Sequence, residues 1–155
     1  MNLDLDPDLD LVLKRRVNAP RHLLYQCWTR EEHIPHFFVP RPHRVTACRL
    51  DPRVGGAFDT TFDIDGNVME NKGVFLDLRE NERLVFTDAY TGDWQPSGKP
   101  FMTVVLTFAD EGGKTRYITR SRHWSKQDRL AHEEMGFHQG WGICADQLEA
   151  LAKSI

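Results

Sequence analysis

Two regimes of periodicity divide this chain. Over residues 43–124, short stretches alternate apolar and polar side chains between turns rich in glycine, asparagine and proline. Over residues 127–155 there is no proline, and Met135, Ile143, Leu148, Leu151 and Ala152 supply much of an apolar stripe. Period two marks half-buried strands, and a recurrence near 3.6 marks an amphipathic helix. A run of strands followed by one long helix predicts an α+β layout, an antiparallel sheet with helices segregated to one face.

The pieces can be placed. Leu9, Leu11, Leu13, Arg15 and Val17 alternate as a first strand, which Asn18-Ala19-Pro20 stops. Leu23, Leu24, Cys27 and Trp28 share one face of a short helix. Thr29 with Glu32 resembles a capping box for a second short helix ending before Pro40. Six strands are expected at 44–51, 57–64, 69–78, 83–90, 101–108 and 115–124, with hairpin signals at Gly55-Gly56, Asp65-Gly66 and Gly112-Gly113. Residues 1–8 are expected as a disordered acidic tail and 9–155 as a single domain.

Charge narrows the partners. The net charge is −3, but Asp4, Asp6, Asp8 and Asp10 carry more than all of it, leaving residues 11–155 near +1. Such a body lacks the basic excess of a nucleic-acid binder and the polybasic patch of a membrane-surface protein. No apolar run approaches the roughly 18 residues of a membrane-spanning helix. Cys27, Cys48 and Cys144 form no CxxC pair, which predicts a reduced, cytoplasmic setting.

Strand parity then points to a gap between sheet and helix. Arg116, Arg120 and Arg122 share one parity with Ile118, so Tyr117, Thr119, Ser121 and His123 face the helix. That inner row is polar, and buried hydroxyls and imidazoles need partners: one another, water or a ligand. Gly136, Gly140 and Gly142 on the helix either let it approach the sheet closely or leave room for a guest. For strands 83–90 and 101–108 either parity supplies apolar residues, so the inward face stays open. If Leu84, Phe86 and Asp88 face inward, Asp88 and His123 are candidates for an acid/base pair.

An ordered set of short motifs carries a resemblance. It runs Arg15-x-Val17-x-Ala19-Pro20, Trp28-Thr29, Asp51-x-Arg53-Val54-Gly55-Gly56 and Gly73-x-Phe75. It continues Glu82-Arg83-Leu84-Val85-Phe86-Thr87, Gly136-Phe137-x-x-Gly140-Trp141 and Gln147-Leu148. Over about residues 9–152 the chain resembles the bacterial family similar to the activator of heat-shock protein 90 ATPase, in the START / Bet v 1-like (SRPBCC) superfamily. The resemblance implies a helix-grip fold: about six to seven antiparallel strands wrapped around a long C-terminal helix, with two short helices after strand one. It also implies a cavity between sheet and helix that holds lipids, polyketides or other apolar molecules. Some superfamily members are cyclases or aromatases, and the eukaryotic namesake is a co-chaperone. A fold supplies a cavity, not a reaction.

Other chemistries lack their parts. His33, His36 and His43 have no carboxylate or cysteine at a metal-site spacing, so no metal or cofactor is expected. Gly112-Gly113-Lys114-Thr115 lacks the first glycine and the helix of a phosphate-binding loop. Asp63-x-Asp65-Gly66 is not a calcium loop, since Val68 stands where glycine is required. There is no Gly-x-Ser-x-Gly elbow. Cys27 reads as inert packing, and Cys144 as a possible cavity border. Arg41, Arg44, Arg49 and Arg53 read as a solvated face, with one of them able to meet an acidic head group.

The leading expectation is a soluble binding module for an apolar or amphipathic molecule. Its expected walls are Trp28, Phe37, Phe38, Phe58, Phe62, Phe75, Met102, Tyr117, Phe137 and Trp141, with Gly140 leaving space. Thr60, Thr119, Ser121 and His123 are the expected polar anchors. The alternatives are an enzyme of cyclase, aromatase or hydrolase type in the same cavity, and a co-chaperone-like protein-binding module. An exposed edge strand would permit a homodimer.

Overall fold

Alternation builds the sheets, and paired turns fold them back on themselves. The computed structural model describes residues 4–155. In chain order the elements are β1 (Asp10–Val17), α1 (Arg21–Thr29), a 3-10 turn (Ile34–His36), β2 (Arg44–Leu50), β3 (Phe58–Ile64), β4 (Asn67–Asn71) and β5 (Val74–Arg79). There follow β6 (Arg83–Thr87), β7 (Tyr90–Thr91), β8 (Gln95–Pro96), β9 (Met102–Glu111), β10 (Lys114–His123), α2 (Lys126–Glu134) and α3 (Phe137–Ser154). The large sheet has the order β1-β10-β9-β6-β5, and β2-β3-β4 form a second one. All named pairings in both are antiparallel. This is the expected α+β layout.

Three expectations change in detail. The strand expected at 69–78 divides at Lys72-Gly73, and β4 and β5 belong to different sheets. The sheets remain stitched there by an Ala57–Val74 bridge and by the Phe58 N–H donating to the Gly73 carbonyl at 2.9 Å. The second short helix shrinks to the 3-10 turn. The Thr29 hydroxyl turns back onto the Tyr25 carbonyl at 2.8 Å, as a threonine at a helix C-terminus can, and caps nothing ahead of it. The long C-terminal helix is two helices. Gly136 breaks it at φ +94°, a left-handed conformation that costs an L-residue about 1–2 kcal/mol. The break lets α2 lie over the end of β10 while α3 packs against β1 and α1.

The N-terminal segment carries hydrogen bonds as well. Asp8 N–H donates to the Asp6 carboxylate, and Arg122 and Arg129 donate to the carbonyls of Asp4 and Asp8. Residues 1–3 of the expected tail lie outside the described residues. On the outer face of the sheet, the Asp10 carboxylate takes two bonds from the Arg122 guanidinium, at 2.7 and 2.8 Å.

Register settles the open parity. Leu106 of β9 pairs with Leu84 on one side and Thr119 on the other, and Val104 with Phe86 and Ser121, so Leu84, Phe86 and the polar row of β10 share the inner face. The core is continuous from Leu11 and Leu13 through Leu84, Val104, Leu106 and Phe108 to Ala145, Leu148 and Ala152 of α3.

Candidate functional site

α3 closes onto β1 along one side and stands off on the other, where a cavity of about 970 Å³ lies between its first two turns and β3, β4 and β6. Phe38, Phe58, Phe62 and Phe86 wall it from the sheet and 3-10 side, and Phe137, Gly140, Trp141 and Cys144 from α3. A Cβ built on Gly140 meets nothing within 4 Å, so that residue borders open space. Gly142 is the opposite case, since a Cβ there would come within 2.6 Å of the Arg15 guanidinium. The two readings of the helix glycines therefore both hold, at different positions.

Of the expected walls, Phe38, Phe58, Phe62, Met102, Phe137 and Trp141 line the cavity, as does the expected anchor Thr60. Trp28, Phe37, Phe75 and Tyr117 do not; they are buried behind it. The reason is an aromatic stack that fills the other end of the gap. Trp28 meets Phe37 at 4.9 Å, Phe38 at 5.1 Å and Trp141 at 6.3 Å between ring centroids. Phe58 and Phe86 stack at 4.3 Å, their planes 4° apart. Such pairs add about 0.5–1.5 kcal/mol each beyond the area they bury.

The polar row of β10 resolves mostly inward. Thr119, Ser121 and His123 are buried and do not line the cavity. The Ser121 hydroxyl donates to Met102 Sδ at 3.1 Å, while Thr119 Oγ1 and Trp28 Nε1 are buried around the Tyr117 hydroxyl. His123 is held at both nitrogens. Nδ1 lies 2.8 Å from the Leu9 carbonyl, and Nε2 lies 2.8 Å from Nδ1 of His132. The Asp88–His123 pair is thus not formed as a hydrogen bond. Asp88 does line the cavity, and its Oδ1 accepts the N–H groups of Phe101 and Met102 at 2.8 and 3.1 Å. Burial pushes its carboxyl above the usual range, against those two N–H groups and the nearby His123.

His132 is the residue that sequence reasoning missed. It lines the cavity from α2 with 9% of its surface exposed. Burial, and then His123, pull its pKa down to about 4. A single continuous helix carries no sign that His132 turns inward; the break at Gly136 brings it there. Lys72 and Lys99, also unforeseen, stand exposed at the cavity mouth, beside Asn71 and Ser97, each of which holds a buried polar atom without a partner. The four arginines do not line the cavity: Arg53 pairs with Asp51 at 2.8 Å, and Arg41 reaches the His36 carbonyl.

Cys144 borders the cavity, and burial pushes its thiol up to about 12, as it does Cys27. Both are thiols rather than nucleophilic thiolates near neutral pH. His43 lies 3.8 Å from Asp65, and among the described residues no three histidine, cysteine or acidic side chains converge as a metal site.

The sequence profile of the Activator of Hsp90 ATPase homolog 1-like protein family matches residues 18–153. The chain belongs to that family. A Nitrosomonas europaea protein of known structure is 38% identical, covers 97% of each chain and superposes with a TM-score of 0.94. A Mycobacterium smegmatis protein at 23% identity covers 97% of this chain and 95% of its own, with a TM-score of 0.80. An AHSA1-like protein from Aeromonas hydrophila, at 18% identity, covers 92% and 94%, with a TM-score of 0.72. These last two likenesses concern the fold alone. A search of curated proteins returns no match. Among the described residues of this family member, no helix is long and apolar enough to cross a membrane.

Proposed function

We propose that this protein binds an amphipathic small molecule with an aromatic or otherwise apolar body in the cavity beneath α3. The observation that carries the reading is the open space at Gly140, walled by Phe58, Phe62 and Trp141 rather than filled by them. Lys72 and Lys99 at the mouth make no ion pair among the described residues, which suits a ligand with an acidic or polar end. Burying about 400 Å² of apolar ligand surface at about 25 cal/mol per Å² gives about 10 kcal/mol before the losses of association. About micromolar affinity is then within reach. Native mass spectrometry of protein purified from its own host tests the reading. A retained small molecule supports it. A bare mass, together with failure to bind an apolar dye such as 1-anilinonaphthalene-8-sulfonate, counts against it.

One observation favours a second reading, catalysis in the same cavity: Asp88 and His132 both line it, and burial shifts both. Its test is turnover of the copurified molecule, followed by mass spectrometry. An unchanged molecule after prolonged incubation leaves binding as the function.

A further inference from the structure

The two buried histidines form a chain of fixed polarity. The Leu9 carbonyl can only accept, so His123 Nδ1 carries a proton. With one proton on each ring, His123 Nε2 is a lone pair and His132 Nδ1 donates across the 2.8 Å contact. That leaves His132 Nε2 without a proton and without a hydrogen bond from the protein. It is the ring nitrogen opposite the one engaged by His123, on a side chain that lines the cavity. Phe101 and Phe137 hold the ring in place, with centroids 5.3 and 5.1 Å from it. Burial that lowers the pKa of His132 keeps this lone pair free at neutral pH.

We infer that His132 Nε2 is a preset hydrogen-bond acceptor for a hydroxyl on the cavity's ligand, so that the site selects phenols or enols over ligands of the same shape without the hydroxyl. The inference rests on the binding reading above and deepens it. Discrimination follows from the asymmetry of buried polar groups. A ligand with a hydroxyl satisfies Nε2, and one with a methyl group in its place leaves it desolvated and unpaired. Because the polarity of the chain is set at the Leu9 carbonyl, a ligand presenting a carbonyl oxygen at the same point would meet lone pair against lone pair. His123 does not touch the ligand. It is a positioning residue that dictates which nitrogen of His132 carries the proton.

The test uses two probes, 4-phenylphenol and 4-methylbiphenyl, competing against 1-anilinonaphthalene-8-sulfonate. Wild-type protein is expected to prefer the phenol by about tenfold. His132→Phe keeps an aromatic ring between Phe101 and Phe137, and is expected to abolish the preference, bringing the affinities of the two probes to within about twofold of each other. Imidazole ¹⁵N spectra of wild-type protein supply a second readout that needs no variant. The His132 Nε2 resonance is expected to move on adding the phenol and to stay put on adding methylbiphenyl. Equal affinities in wild type, or an unmoved Nε2 resonance with the phenol bound, overturn the acceptor role while leaving cavity binding intact. If neither probe displaces the dye, the binding reading fails and the acceptor role falls with it.

Discussion

His123 Nε2 and His132 Nδ1 lie 2.8 Å apart, joining the last strand to the helix that follows it. They stand nine positions apart along the chain, and the bond closes the turn between β10 and α2 on its buried side. His132 couples the fold to pH.

His132 titrates near 4 when folded and near its ordinary value of 6.5 when unfolded. Between those values the unfolded chain binds more protons, so stability rises with pH across the window and falls as pH drops from about 6.5 towards 4. Its share is about 3 kcal/mol at most. Urea unfolding of wild type and His132→Phe at pH 7 and pH 5 should show the wild type losing more stability between them. Equal losses would remove His132 as the source.

Gly136 and Gly140 should respond to alanine with opposite signs. Gly140→Ala adds a Cβ into open space within a helix and is expected to stabilise by about 0.5–1 kcal/mol. Gly136→Ala forces an L-residue to φ +94° and should cost about 1–2 kcal/mol. Gly140→Leu should leave thermal stability near wild type while weakening dye binding at least tenfold, since its side chain enters the cavity. Unaltered dye affinity would put the binding space elsewhere.

Trp28 and Trp141 stack, yet only Trp141 lines the cavity. Trp28→Phe should cost about 1–3 kcal/mol in chemical denaturation with little change in dye affinity. Trp141→Ala should reduce dye affinity about tenfold. The reverse pattern would show that the ligand reaches past the stack.

Asp10 has a fully buried carboxylate, gripped at two oxygens by an Arg122 side chain that is 39% exposed. Burial raises its pKa, but Arg122 and the Asp6 N–H outweigh that and hold it below the ordinary 3.8. Its stabilisation is present above the unfolded value and is lost as pH falls through the folded one. Asp10→Asn should cost about 1–3 kcal/mol at pH 7, with the partial exposure of Arg122 holding the figure below that of a fully buried pair. A double-mutant cycle with Arg122→Met measures the coupling, and a value near zero would make the pair decorative.

Much of this architecture is local and was therefore legible in the sequence. Alternation placed Tyr117, Thr119, Ser121 and His123 on the inner face of β10, and all four are buried. The motifs from Arg15 to Leu148 pointed to the family that residues 18–153 match. What lay beyond reach depends on contacts distant along the chain. Parity puts a residue on a face but does not say what covers it: Trp28 and its aromatic neighbours seal one end of the gap, and α2 seals His123. Nor does a glycine in a helical pattern announce whether it breaks the helix, opens space or admits an arginine. Gly136, Gly140 and Gly142 do one each, and the choice rests on φ, on empty volume and on Arg15. Which faces are apolar, and in what order the elements come, follow from side-chain period and can be read along the chain. Where the cavity lies, and that His132 turns into it, depend on how two helices meet at a single left-handed residue.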